Sequence, residues 1–237
     1  MRDYLRNRYG EVNGVKYWLP SEHQIGGNVH CNYPNTSIIR RAIHEYLGIV
    51  DALEPDYYEG GNIVNISDLH TARIIQYLEE EKIKFNGIVA KRDFLKNNNF
   101  GMYCRNSDAL SCAIITDDEI YMLNITAEAL NNGIMTNIPK LSNARAVLGP
   151  CISQRNYSLA GEKLKRISNY KTLGYNFYCE KNGEKVNVDI KGIVIFELMR
   201  KKIEIEYCDE RDTFSCKELG SHRKGDTMRA NPLYVWI

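Results

Sequence analysis

The stretch Gly220-Ser-His-Arg-Lys-Gly-Asp-Thr-Met-Arg229 gathers His222, Arg223, Lys224 and Arg229 into one short basic segment ahead of the apolar tail Leu233–Ile237. Such a cluster can face an anionic ligand and close the floor of a pocket, or it can form a turn whose arginines pair with carboxylates. Seven cysteines, at 31, 104, 112, 151, 179, 208 and 216, are the other reactive side chains. Their number is odd and no Cys-x-x-Cys pair occurs, which excludes a zinc ribbon and a disulfide framework and reads as reduced thiols packed like small hydrophobes. His23 and His30 lack metal-ligand spacing, and His44 flanks an apolar stripe. Gly149-Pro-Cys151-Ile152 is expected between a strand and a helix, where backbone amides could meet an anion. Ile25-Gly-Gly-Asn28 and Glu59-Gly-Gly-Asn62 have neither the spacing nor the lysine of a phosphate-binding loop and read as turns.

These residues must be positioned by elements that the pattern of apolar residues predicts. Asn35–Gly48 is expected to form an amphipathic helix with a polar cap and a glycine stop. Short runs bounded by Gly, Asn, Asp or Pro predict strands over 61–66, 87–90, 109–116, 119–125 and 144–148, with Asp117-Asp118 as a tight hairpin turn. Helices are expected over Ser67–Lys82, Tyr157–Ser168 and Asp189–Lys201, and a half-buried strand over Lys202–Cys208. Several strands follow one another through turns and not through helices. That order predicts an α+β fold with mixed or antiparallel sheets and flanking helices.

Composition narrows the function. Thirty-one Lys and Arg balance thirty Asp and Glu, leaving no field to hold a polyanion, so nucleic acid is not expected as a partner. No apolar run reaches the length of a secretory core or a membrane span, which leads to the expectation of a cytoplasmic protein with no membrane association. The 43% apolar content can fill a core, and with no repeat or Pro/Ser-rich linker the expectation is a single domain over 1–237.

Taken in order, the segments resemble one family, the laccase-domain proteins, the polyphenol-oxidase type of purine nucleoside phosphorylase. Ile25-Gly-Gly with the 35–48 helix is similar to its Gly-Gly turn and first helix. Gly149-Pro-Cys-Ile152 with Tyr157 is similar to its Gly-Pro-x-Ile segment and following Tyr. Val188-Asp-Ile-Lys191, Phe196-Glu-Leu198 and Cys208 resemble its later landmarks, and Ser221–Arg229 resembles its closing basic signature. The resemblance covers nearly the whole chain and implies the laccase-domain, cytotoxic-necrotizing-factor-like fold. It also implies zinc held by two histidines and one cysteine, and phosphorolysis or deamination of purine nucleosides.

This chain departs from that pattern at the reactive positions. The resemblance places the cysteine ligand at Ala109, after Ser107-Asp108, and one histidine at Asn124, with Glu128 in place of a following arginine. The other histidine maps to His70. Cys112 cannot replace position 109, because residues three apart on a strand face opposite sides. Cys104 and Cys151 could do so only if the backbone turns them toward the pocket. The expectation is therefore a pocket that binds a small molecule, such as a purine nucleoside, or a protein partner, formed by His70, Asp108, Asn124, Glu128, Cys151, His222, Arg223 and Arg229, with zinc lost and catalysis absent or strongly impaired. The alternative is an active enzyme with rebuilt zinc ligands.

Overall fold

The computed structural model of the chain describes residues 9–19, 36–55, 60–68, 85–226 and 230–237. Tyr9–Val12 (β1) and Val15–Trp18 (β2) form an antiparallel hairpin. Its turn, Asn13-Gly14, has two positive φ angles, 50° and 73°. Asn-Gly tolerates two successive left-handed residues, a turn geometry that matches the twist of the flanking strands. Helix α1 (Thr36–Leu47) ends at Gly48, whose φ of 72° makes it the stop that the sequence predicts.

The strands of the described residues form three sheets. In the first, β1 and β2 continue into Asn231–Trp236 (β14), Phe100–Asn106 (β6) and Asp51–Leu53 (β3), in the order β1-β2-β14-β6-β3. The second runs from Glu204–Cys208 (β13) through Arg145–Leu148 (β9), Leu110–Ile115 (β7), Glu119–Ile125 (β8) and Gly87–Lys91 (β5) to Ile63–Asn65 (β4). The third is small: Ser158–Leu159 (β10), Lys185–Val188 (β12) and Cys179–Asn182 (β11). β3 with β6, β4 with β5 and β13 with β9 are parallel, and the other pairs are antiparallel. The fold is α+β with mixed sheets.

Strand periodicity explains how the layers stack. Successive side chains face opposite sides, so β7 sends Ala113 and Ile115 to one face and Leu110, Cys112 and Ile114 to the other. The first set, with Ile120 and Met122 of β8, packs against Met102 and Cys104 of β6 and Leu233 and Val235 of β14, joining the two large sheets face to face. The second set, with Leu123 and Ile125, packs under Ile190, Ile193, Val194 and Leu198 of helix α4 (Ile190–Arg200). Outside the first sheet, Trp18, Tyr103, Tyr234 and Trp236 pack against Ile43 of α1. β7 is buried on both faces, which is why it reads as a nearly unbroken apolar run.

Among the described residues there are two smaller helices, α2 (Arg92–Asn98) and α3 (Ala127–Asn131), the latter capped by Thr126, whose hydroxyl accepts from the Ala129 N–H at 3.0 Å. The α4 helix starts as expected, with the Asp189 carboxylate accepting from the Gly192 N–H at 2.8 Å.

The helix expected over 157–168 is not formed. Residues 158–159 pair with β12, and residues 161–167 form a 3₁₀ helix. The Tyr157 carbonyl accepts from the Val188 N–H at 3.0 Å, and Gly161 turns the chain at a φ of 54°, so an edge-strand contact and a break replace the regular helix. Of the helix expected over 67–82, residues 69–82 lie outside the described residues, and His70 with them. So do His23, His30 and the Gly26-Gly27 turn.

Candidate functional site

One end of the two-sheet sandwich opens into a cavity of about 360 Å³, within the usual range of roughly 300–1,000 Å³ for small-molecule sites. Its lining comes from the ends of β6 and β8, the loop Ser107-Asp108-Ala109 that crosses from the first sheet to the second, the first turns of α3 and α4, the 161–167 segment and a 3₁₀ turn at His222–Lys224. Asp108, Ala109, Asn124, Glu128, His222 and Arg223, which are far apart in sequence, are brought together on this wall. Arg229 lies outside the described residues.

Strand parity places the floor. Asn124 follows Ile120 and Met122 in the inward row of β8, Asn106 follows Met102 and Cys104 in that of β6, and Ser111 shares a row with Ala113 and Ile115. At this end the rows that build the apolar interior change to Asn and Ser. Ser111 and Asn124 are direct cross-strand partners. Asn124 is fully buried, and its main chain is pinned: its N–H donates to the Asn86 carbonyl at 2.7 Å, and its carbonyl accepts from Asn86 Nδ2 at 3.3 Å.

Asp108 acts as a clamp. Its Oδ1 accepts from the Thr213 hydroxyl at 2.9 Å and its Oδ2 from the Arg223 N–H at 2.8 Å. Its carbonyl accepts from the Ile152 N–H at 3.1 Å and from Cys151 Sγ at 3.3 Å. One aspartate thereby ties the β6–β7 loop to the 213 loop, the 222–224 turn and the segment after β9. The Arg223 guanidinium is held in turn, donating to the Ser158 carbonyl at 2.8 Å and lying 4.9 Å from the centre of the Tyr157 ring. Ser221 caps the turn and Gly225 ends it at a φ of 86°.

Four cationic side chains, Arg105, Lys163, Arg166 and Arg223, and exposed His222 face two carboxylates, Asp108 and Glu128. Arg166 lies 3.5 Å from Glu128, and Arg105 is paired with Glu54. The balance favours a neutral or anionic ligand over a cation.

Cys151 stands apart from this wall. It is buried behind Asp108 and its thiol is pushed up to about 12 by that burial, although Lys191 pulls the other way. Burial of this kind disfavours the thiolate that a nucleophile needs. Cys104, likewise buried and pushed up to about 12, lies within the inter-sheet core. The backbone amides after Gly149 are also committed, those of Gly149, Ile152 and Ser153 donating to Ser111 O, Asp108 O and Asp212 Oδ1. The amides that could meet an anion at that glycine segment therefore make internal hydrogen bonds instead.

Among the described residues no three His, Cys, Asp or Glu side chains converge on a possible metal site, and His70 lies outside them. Ala109 offers no ligand atom, both Asp108 oxygens are already bonded, and Asn124 presents an amide. Sequence reading missed Asn106, Ser111, Lys163 and Arg166. For the first two a signal existed: each is a polar residue in phase with a buried apolar row.

Solved structures share this fold. Neisseria meningitidis protein NMB0706, a DUF152 protein, superposes with a TM-score of 0.74 at 13% identity over 97% of this chain and 98% of its own. Bacillus licheniformis hypothetical protein YfiH gives 0.75 at 14% identity, covering 95% and 93%. YlmD from Geobacillus stearothermophilus gives 0.72 at 14% identity, covering 94% and 92%. The chain thus has the laccase-like fold of the DUF152 proteins, as the resemblance implies. No family model and no curated protein matches the sequence.

Proposed function

We propose that this chain uses the laccase-like scaffold to bind a small polar molecule of the purine nucleoside type, without zinc chemistry and with catalysis absent or strongly impaired. The observation that carries this reading is the pocket wall itself. Ala109 and Asn124, the positions that the resemblance assigns to a thiolate and an imidazole, line one cavity and offer a methyl group and an amide. Replacing two of three ligands removes most of a zinc site, since changes merely around a ligand cost roughly ten- to a hundredfold in metal affinity. The cavity nevertheless keeps a polar floor, the Tyr157 ring and a cationic rim, which suit a heteroaromatic ligand with polar substituents.

The test is chromatography of adenosine, inosine and guanosine incubated with purified protein, phosphate and zinc, beside an Ala109→Cys/Asn124→His variant. No turnover by the unaltered protein, with turnover by the variant, is the expected result. Turnover by the unaltered protein would overturn the proposal.

A further inference from the structure

We infer that Asn124 sets the ligand specificity of this pocket, donating a hydrogen bond to a carbonyl oxygen and rejecting an amino group at the same place. The inference rests on the reading of the cavity as a nucleoside-type site. It starts from the direction of a chain of hydrogen bonds. The Ser111 backbone N–H can only donate, and it lies 3.1 Å from the Asn106 carboxamide, whose oxygen must therefore face it. That oxygen also accepts from the Ser111 hydroxyl at 2.9 Å. The Asn106 nitrogen is thereby turned to Asn124, donating to its Oδ1 at 2.7 Å and to the Arg105 carbonyl at 3.2 Å. The amide orientations follow from this network, as such assignments must.

With its oxygen committed to Asn106, Asn124 has its amide nitrogen left over. That nitrogen is buried and has no hydrogen-bond partner among the described residues. Of the buried polar side-chain atoms lacking a partner among the described residues, it alone belongs to a residue lining this cavity. The backbone cannot shift to relieve it, because Asn86 holds Asn124 at both its N–H and its carbonyl. A buried donor left unpaired is costly, and an acceptor supplied by a ligand recovers that cost. An amino group would meet it donor to donor. The floor is thus polarised: a fixed backbone N–H sets Asn106, Asn106 sets Asn124, and Asn124 sets which ligand edge fits. Asn106 is accordingly a positioning residue.

The test is titration of four nucleosides in two matched pairs, inosine against adenosine and uridine against cytidine, each exchanging a ring carbonyl for an amino group. Within a pair, the carbonyl member is expected to bind at least about tenfold more tightly, the scale of discrimination set by an unpaired buried polar group. Asn124→Leu is expected to abolish the preference. Asn106→Leu frees the Asn124 amide to turn either way, so the preference should fall to within about threefold while binding persists. Side-chain amide NMR signals provide a second readout that needs no stable variant for its effect: in unaltered protein, the Asn124 NH₂ resonances should move downfield with inosine. Binding without preference, or a preference for the amino member, overturns the inference and leaves the pocket assignment standing. Failure of all four to bind overturns both.

Discussion

The two ends of the central sandwich are built from the same strands and differ in how they treat their polar groups. At the far end from the cavity, β7 and β8 are joined by Asp117-Asp118, and Thr116 Oγ1 accepts from the Glu119 and Asp118 N–H groups at 2.9 and 3.3 Å while donating to the Glu119 carbonyl at 3.0 Å. Arg92 ties this turn to the β1–β2 turn, donating to the Thr116, Asp117 and Asn13 carbonyls at 3.4, 3.3 and 2.6 Å. A wider polar cleft lies there, about 650 Å³, but Thr116 and Arg92 already close their hydrogen bonds within it. At the cavity end the network stops one donor short, at Asn124. The contrast teaches that cavity volume alone does not mark a binding site. An unpaired buried donor on a residue that lines the cavity is the more telling sign, because a ligand there can complete its hydrogen bonding.

The largest disruption is expected from Asp108→Ala. It strips acceptors from the buried Thr213 hydroxyl and the Arg223 N–H and should cost about 3 kcal/mol, the upper range for hydrogen bonds to a charged group, read as a lower urea midpoint. Arg92→Ala at the closed end should cost about 1 kcal/mol, since its carbonyl partners reach water when it leaves, and nucleoside binding should be unchanged. A binding loss there would erase the distinction between the ends.

Asp212 supplies a pH test beside the site. Burial pushes its carboxyl up, but hydrogen bonds from Ser215, Ser153, Asn156 and Phe214 outweigh that and hold it down at about 2. A depressed folded pKa stabilises the protein above the unfolded value of about 3.9 and loses that contribution as pH falls toward 2. Asp212→Asn should therefore flatten the acid limb of a stability–pH curve between about 4 and 2, with no effect on ligand preference. The smallest stability change is expected for Asn124→Leu, within about 1 kcal/mol, because the substitution removes an unpaired donor along with the acceptor for Asn106. A large loss of stability would mean that Asn124 is an ordinary structural residue.

Much of the fold was legible in local pattern. The 119–125 strand and the helix capped by Asp189 follow from periodicity and capping alone. The Val12-Asn-Gly-Val15 hairpin carries an equally readable Asn-Gly signal, which stands outside the strands that the sequence analysis assigns. Tyr157–Ser168 misled because its apolar spacing is helical, while a cross-strand bond from Val188 decided its conformation. The candidate site was legible only in part. Asp108, Asn124, Glu128, His222 and Arg223 were found through the family resemblance. The roles of Asn106 and Ser111 depend on which strand lies opposite which, and that information resides in tertiary register.

The central claim, a nucleoside-type pocket that works without zinc, is tested most directly by calorimetric titration of inosine into protein stripped with EDTA and into the same protein resupplied with zinc. The account predicts saturable binding of equal affinity in both. Binding that appears only after stoichiometric zinc uptake would contradict it.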